Sequence, residues 1–322
     1  MRGRHFVLGT GLSFGLIVLA VVGRLVPTYY TGLMTEALIL GIFAVSLNLL
    51  LGQTGLPSLG HSAYFGVAGY TMAILSLRLA QSAWVSASAG IVVSVIIAAL
   101  YGLLALRTSG VYFMMITLAL AQVLWGIAYG WRSMTGGDDG LPGIGRPDLG
   151  ALVPWSLQSP ANFFTAVLIV FVVVMTALSL VVHSPFGYAL RGIRESEARM
   201  DCLGYHVWLH KYVAMLIAGG GAGIAGILFV YYHGFVSPAE LSLVLSAEGL
   251  LMVILGGAGT LFGPALGAVV VVFLRNLVSG YTERWLLVLG LIYLLVVLCA
   301  PNGIAGAIRA RLPSWLYQEA DA

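Results

Sequence analysis

The sequence predicts an all-α protein, a polytopic bundle of about ten transmembrane helices. The first observation is composition: 60% of the 322 residues are hydrophobic and only 8% are charged, whereas soluble domains carry about 25% charged residues. So few charges cannot cover a water-facing surface, and we therefore expect the protein to lie in lipid. The formal net charge of +3 is too small to indicate a nucleic-acid partner. The second observation is the spacing of the apolar runs along the chain.

These apolar runs give the helices in chain order, since a spanning helix needs roughly 20 apolar residues. The first run follows a basic start, as in a signal peptide, but no small-residue cleavage site follows it, which favours an uncleaved span. The run over 241–278 is too long for one helix and is interrupted by "GGAGTLFGP" at 256–264, so we expect two shorter helices there. The predicted helices cover residues 6–23, 34–51, 61–77, 84–106, 111–130, 162–182, 212–232, 241–256, 264–278 and 285–299. They form a single membrane domain over 1–322.

Arginine and lysine residues in the connections predict the orientation, because short cytoplasmic loops are rich in them. The densest basic cluster lies in the loop 183–211 and comprises Arg191, Arg194, Arg199 and Lys211. Threading ten helices with this loop in the cytoplasm also places both termini there and leaves the loop 132–161 outside. The same threading turns two hairpins toward the cytoplasm, one at "GQTGLPSLG" and one at "GGAGTLFGP".

Motifs for catalysis are missing from the sequence. Lys211 is the single lysine and is followed by Tyr212, so the phosphate-binding pattern G-x-x-x-x-G-K-[ST] cannot occur. The sequence contains no H-E-x-x-H and no cysteine and histidine cluster at metal-ligand spacing. We therefore expect a membrane component without a catalytic centre, cofactor or metal of its own.

The stretch "LGQTGLPSLGHSAYFGVAGYT" at 51–71 interrupts the apolar pattern with five glycines and a proline. Asn48, Gln53 and His61 flank this break. They either line the path of a polar solute, toward its inner end, or satisfy backbone groups that the break frees, which lipid cannot do. Gly66 and Gly69 are spaced for close contact between helices.

Polar side chains inside the predicted spans are further candidates for a translocation path, since such residues usually face a bundle interior. Thr117 and Gln122 lie mid-span in the fifth predicted helix. Glu248 and Arg275 lie at similar depth in the hairpin of helices eight and nine, so we expect an ion pair. Contact with the substrate is the alternative role for Glu248.

The loop 183–211 predicts a short amphipathic helix between two spans. Its charged residues Arg191, Arg194, Glu195 and Arg199 recur at helical spacing, and Gly204 suits the end of a helix. The residues alone fit two interpretations equally: a solvated helix at the membrane surface, or a coupling helix that docks on a cytoplasmic ATPase.

Four stretches of this chain, in order, resemble the branched-chain amino acid ABC permeases of the LivM type. They are "GQTGLPSLGHSAYFGVAGYT", "LRTSGVYFMMITLALAQVL" with the later "TGGDDGLPGI", "SPFGYALRGIRESEARMDCLG" and "LVLSAEGLLMVILGGAGTLFGPALGA". A tail, "PNGIAGAI", also resembles the end of the family's last helix. The resemblance covers most of the chain beyond the first helix.

The resemblance implies an importer subunit in the bacterial inner membrane. Such a permease pairs with a LivH-type permease, two cytoplasmic ATPase subunits that bind ATP and Mg, and a periplasmic solute-binding protein. It also implies that Glu195, Glu197, Ala198 and Gly204, with Arg191 and Arg194, belong to the loop that couples to the ATPase. The chain departs from the general E-A-A-x-x-x-G pattern of such loops, because Arg199 follows Ala198 and the glycine comes one residue late.

The outer loop 132–161 contains "TGGDDGLPGIGRPDLG", which is turn chemistry throughout. Its length favours a function over a plain connection. We expect this loop to touch the binding protein through the exposed charges of Asp138 and Asp139.

The sequence thus predicts a permease subunit that imports a small polar solute, a branched-chain amino acid or a related amide or carboxylate. An ATP-independent channel or secondary transporter would explain the glycine-broken helices equally well, but not a loop that resembles a docking site. A membrane-embedded enzyme is disfavoured by the missing catalytic motifs.

Overall fold

The computed structural model describes residues 27–147 and 156–281, with single positions between 284 and 306. It is an all-α bundle, as predicted. The helices are α1 (Thr28–Asn48), α2 (His61–Arg78), α3 (Ala83–Ala105), α4 (Gly110–Gly130), α5 (Arg132–Thr135), α6 (Pro160–Val182), α7 (Pro185–Glu195), α8 (Glu197–Cys202), α9 (Val207–His233), α10 (Leu243–Gly256) and α11 (Gly263–Ser279). Two short strands, β1 (Leu141–Pro142) and β2 (Phe235–Val236), pair antiparallel.

Among the described residues, five helices are long and apolar enough to cross a membrane: α1 with its π-helical extension, α3, α4, α6 and α9. The apolar helices α10 and α11 are shorter, and α2 has 18 residues. These eight elements coincide with the eight predicted helices between 34 and 278. The predicted helix 6–23 and most of the predicted helix 285–299 lie outside the described residues, so the count of ten stays a prediction.

The predicted break after α1 is present and has a defined geometry. The helix continues as a π-helix over Leu49–Thr54 and ends at Gly55, whose φ of 73° lies in the left-handed region that glycine adopts without strain. The chain then runs without regular structure to Gly60, where α2 begins. His61, the first residue of α2, lies beside Ser46 of α1. Ser46 lies eight residues before Thr54, the end of the π-helix, which is about 12 Å along a helix. Because His61 lies beside Ser46, α2 starts well inside the bundle.

A second interruption enters from the opposite end of the bundle. After α9 ends at His233, the chain passes through β2 and a 3-10 helix at Pro238–Leu241 before α10 begins at Leu243. The starts of α2 and α10 meet: the Ser62 amide donates to Ser246 Oγ at 3.0 Å, and Ser62 Oγ donates to the Leu241 carbonyl at 3.2 Å. The two shortened helices therefore begin against each other in the interior.

Small residues bring α2, α3 and α9 into close contact, which confirms the packing role expected for the glycines. A Cβ on Gly69 would lie 2.8 Å from Val230 Cγ2, and one on Gly90 would lie 2.8 Å from the Ala68 carbonyl oxygen. Gly226 leaves no room at all for a Cβ beside the Phe65 carbonyl. Backbones at this distance gain dispersion contacts that larger side chains would prevent.

Candidate functional site

Polar contacts at one end of the bundle fasten the break in α1 to the turn between α10 and α11. Asn48 Nδ2 donates to the Thr260 carbonyl at 2.8 Å, and its Oδ1 accepts from the Gly259 amide at 2.9 Å. Gln53 Nε2 donates to the Gly259 carbonyl at 2.9 Å. Asn48 and Gln53, which the sequence offered equally as path-lining or backbone-satisfying groups, thus have their amide groups bonded to this turn.

Helix α7 joins the same contacts through two arginines. Arg191 Nε donates to Gln53 Oε1 at 3.1 Å and its Nη2 to the Val182 carbonyl at 3.0 Å, while Arg194 Nη1 donates to the Gly52 carbonyl. Ser184 caps the start of α7 by accepting from the Gly187 amide. We call this cluster the joint, and the end of the bundle that holds it the arginine end. Its members are Asn48, Gly52, Gln53, Arg191, Arg194, Gly259 and Thr260.

The joint agrees with the prediction that both hairpin turns and the basic loop lie on one side of the membrane. The structure brings all three together at the arginine end, as the threading required. The inner break is a π-helix, a form that is frequent at functional sites. Three elements that are remote in sequence are therefore connected, because each holds the next by side-chain hydrogen bonds.

The basic loop forms two helices where the sequence predicted one. Ser196 takes an extended conformation, with φ −162° and ψ 105°, and ends α7; its side chain then accepts from the Arg199 amide and starts α8. The predicted end at Gly204 is confirmed, since Gly204 has φ 85° and its amide donates to the Asp201 carbonyl at 2.9 Å. The helix break at Ser196 separates Arg191 and Arg194 from Glu197 and Ala198.

The second half of the loop faces away from the bundle. Glu195, Ala198, Leu203 and Gly204 are exposed, with Leu203 at 67%. Glu197 is exposed as well, and its carboxylate pairs with the buried Lys211 at the start of α9. Beside this pair lies an open groove of about 600 Å³ whose lining includes Leu106, Glu197, Trp208 and Lys211. An apolar leucine and a groove on a water-facing loop are features of a docking surface.

The side chains of His61 and Thr117 lie in the interior, further from the arginine end than the sequence analysis expected for His61. His61 Nε2 lies 2.9 Å from Ser46 Oγ, and the ring packs between Phe43 and Tyr64. Thr117 Oγ1 accepts from the Leu59 amide at 3.3 Å and donates to the Met114 carbonyl at 2.9 Å. Both side chains are fully buried. Thr117 holds the irregular segment 55–60 in place, and His61 fixes the start of α2 beside α1.

The expected ion pair between Glu248 and Arg275 is present, with Arg275 Nη1 3.2 Å from Glu248 Oε2. A third residue, Glu36 of α1, binds the other nitrogen of the same guanidinium. Glu36 was not among the residues predicted from the sequence, although an acidic residue in an apolar run is itself a signal. The three side chains are mostly buried and tie α1, α10 and α11 together. We call them the triad.

The remaining candidates lie on the surface of this chain. Gln122 is on the exposed face of α4, away from the interior. Asp138 and Asp139 form part of a 3-10 helix at Gly137–Asp139 and are both exposed, at the end opposite the joint. The part of the outer loop at 148–155 lies outside the described residues.

Comparison with known proteins gives the family. A family model described as "Branched-chain amino acid transport system / permease component" matches residues 29–298. The high-affinity branched-chain amino acid transport system permease protein LivM of Salmonella typhimurium is 29% identical over 300 residues, covering 86% of this chain and 70% of that protein. LivM of Escherichia coli is 28% identical over 320 residues, covering 92% and 75%. LivH of Salmonella typhimurium is 24% identical over 285 residues, covering 82% and 90%. No solved structure matches the chain.

The matched range 29–298 contains the joint, the triad and every helix from α2 to α11. The five spanning helices and the family match agree on a multi-pass membrane protein with a transport role and no enzymatic one. This chain belongs to the family of branched-chain amino acid transport system permease components.

Proposed function

We propose that the chain is the membrane-spanning permease subunit of an ATP-driven importer in a bacterial inner membrane. The solute is a branched-chain amino acid or a related small amide or carboxylate, delivered by a periplasmic binding protein. A LivH-type permease completes the path, and two cytoplasmic ATPase subunits bind ATP and Mg. The arginine end faces the cytoplasm, as the basic loop favours.

The joint is the single observation that carries this proposal. A loop at a membrane surface needs no tie to the interior if it only connects two spans. Here α7 binds both the break in α1 and, through Gln53, the turn between α10 and α11. A push on this loop would move both interrupted hairpins, which is the behaviour that coupling to an ATPase requires. An ATP-independent channel has no use for such a connection.

The structure divides the loop into two functions. The exposed residues Glu195, Arg199 and Leu203 form the docking surface for the ATPase. Arg191 and Arg194 transmit its motion, because their guanidinium groups bind inside this chain. Glu197 supports the docking surface by fixing α8 to Lys211 of α9.

The test compares Leu203→Glu with Arg194→Ala in the assembled importer. We expect Leu203→Glu to abolish co-purification of the ATPase. We expect Arg194→Ala to retain the ATPase while uptake falls roughly tenfold or more, since a hydrogen bond from a charged group contributes about 1.5–3 kcal/mol. Arg78→Ala is the matched control, because Arg78 is exposed at the far end of α2.

Two results would contradict the proposal. Uptake by the unaltered protein that needs neither an ATPase subunit nor ATP would favour the channel or secondary transporter. Loss of the ATPase in Arg194→Ala, with Leu203→Glu unaffected, would mean that the two functions are assigned to the wrong residues.

A further inference from the structure

The outward face of α4 carries a regular row of exposed residues. The row has alternating spacings of three and four residues, the 3.5-residue period of a helix that packs along another helix. All of its members are exposed, with Tyr112 at 73% and Met115 at 61%. We call this row the α4 seam; it comprises Tyr112, Met115, Ala119, Gln122, Gly126 and Tyr129.

Glycine at position 126 has no explanation among the residues that the structure describes. In the described helices α1 to α11, glycines are placed where a Cβ would meet a neighbouring atom, as at Gly90 and Gly226; the exceptions are Gly110, Gly126 and Gly130 of α4. Gly110 is explained by its φ of 59°. Gly126 and Gly130 are both helical, and a glycine inside a helix is less favourable than alanine by about 1 kcal/mol. Four residues apart, they match the spacing by which transmembrane helices approach closely.

Gln122 is the second independent observation. It lies twelve residues into α4, about 18 Å along the helix axis, and therefore near the middle of a bilayer. Its amide makes no hydrogen bond with any of the described residues, and its side chain is exposed. A polar group left without a partner in hydrocarbon is expensive, so this position requires a hydrogen-bonding surface beside it.

The outward faces of α3 and α6 have the composition expected against lipid. They present bulky aliphatic residues such as Val92, Ile96 and Val173. The exposed hydroxyls there are satisfied by their own helices: Ser88 Oγ donates to the Val85 carbonyl and Thr176 Oγ1 to the Val172 carbonyl. The α4 seam differs from both faces in having an exposed helical glycine and an unbonded amide.

We propose that the α4 seam is the contact surface for a transmembrane helix of the second permease subunit, with Gln122 hydrogen-bonded across the interface. The inference rests on the proposed function, which supplies that subunit. Only a helix or a closed barrel presents protein surface at mid-membrane depth, and the 3.5-residue period fits a helix crossing at about 20°. Both LivM and LivH relatives match this chain over most of its length, so the second subunit is a homologue with helices of comparable length.

Photo-crosslinking in the co-expressed, membrane-embedded importer tests the contact directly. A benzophenone amino acid is placed at Ala119, and separately at Ile96 on the lipid-type face of α3. We expect an adduct with a peptide of the second permease subunit from position 119 and none from position 96. Adducts from position 119 with lipid alone, with another copy of this chain, or with this chain's own residues 1–26 or 282–322 would overturn the proposal.

Substitutions measure the energetics of the same surface. We expect Ala119→Leu to lower the fraction of this chain that co-purifies with the second permease by roughly tenfold, because added bulk separates the helices. Gln122→Leu should lower it roughly threefold, the effect of one interhelical hydrogen bond in a membrane. Ala177→Leu is the matched control, since Ala177 is exposed on the lipid-type face of α6, and it should change nothing.

The results separate this inference from the proposed function. If the second permease co-purifies but Ala119→Leu behaves like Ala177→Leu, the seam assignment is wrong and the importer stands. If no second permease co-purifies with the unaltered chain, both the importer and the seam fail.

Discussion

At the scale of single residues, the triad shows what charges do inside this bundle. Arg275 binds two carboxylates, those of Glu36 and Glu248. The three residues lie on three different helices. Ionised groups are tolerated in an apolar interior only when they are paired and hydrogen-bonded. Sequence spacing predicted the pair of Glu248 with Arg275, because both lie in one hairpin. It did not predict Glu36, whose position beside Arg275 depends on how α1 packs against α11.

Removing the charge of Arg275 should lower the stability of the folded bundle. We expect Arg275→Leu to destabilise the folded protein by about 3–5 kcal/mol, since it leaves two buried carboxylates without a partner. Arg199→Leu is the matched control: Arg199 and Glu195 are exposed and 3.9 Å apart, and such pairs contribute about 0–1 kcal/mol. Thermal unfolding of both variants in detergent, each against the unaltered protein, measures the difference. Equal midpoints for the two variants would contradict the structural role.

Glu248→Gln separates a structural role from a substrate contact. The amide keeps the size of the side chain and can still accept a hydrogen bond from Arg275, while Glu36 continues to bind the guanidinium. We expect assembly and uptake to persist. Intact assembly with uptake abolished would instead place Glu248 in contact with the solute.

At the scale of elements, close helix packing is achieved by glycine at selected faces. Helix α9 contains both kinds of position. Gly226 faces the backbone of α2 with no space for a side chain, whereas the nearest atom to a Cβ on Gly220 is Val95 Cγ2 at an ordinary 3.4 Å. Packing therefore requires glycine at position 226 of α9 but not at position 220.

Alanine at these two glycines should give opposite results. Gly226→Ala forces α9 away from Phe65, and we expect a loss of about 1–3 kcal/mol of stability. Gly220→Ala should be neutral or stabilising by up to about 1 kcal/mol, because alanine favours the helix. The yield of folded protein in fluorescence-detected size exclusion, measured after a series of heating steps, compares them. A destabilised Gly220→Ala beside a stable Gly226→Ala would mean that the packing of α9 is assigned to the wrong face.

At the scale of the whole molecule, the residues proposed for the two kinds of partner contact lie at opposite ends of the bundle. The joint and the exposed surface that we propose for ATPase docking are at the arginine end, and Asp138 and Asp139 lie exposed at the other. The two interrupted hairpins run between these ends and meet where α2 and α10 begin. The two starts are joined by a hydrogen bond from Ser246 Oγ to Ser62 Oγ at 2.8 Å.

The acidic end carries a prediction about the binding protein. We expect the double change Asp138→Asn with Asp139→Asn to weaken productive docking and to raise the concentration of loaded binding protein needed for half-maximal uptake. The reason is the loss of two exposed charges that attract a complementary surface. The ATPase should remain bound, and higher salt should reduce the difference between variant and unaltered protein. Uptake unchanged at low salt would remove these residues from the contact.

The sequence by itself determined the membrane class, the eight helices between 34 and 278, the break near Gly55 and the ion pair of Glu248. Each depends on apolar run length, glycine or charge within one local segment, and such signals are independent of how distant segments pack. Only the tertiary structure decided that Asn48 and Gln53 bind Gly259, that Arg194 binds Gly52, that Ser196 divides the basic loop and that Gln122 faces outward. These contacts join residues up to 212 positions apart, and their geometry follows from the close approach of backbones that no local pattern encodes.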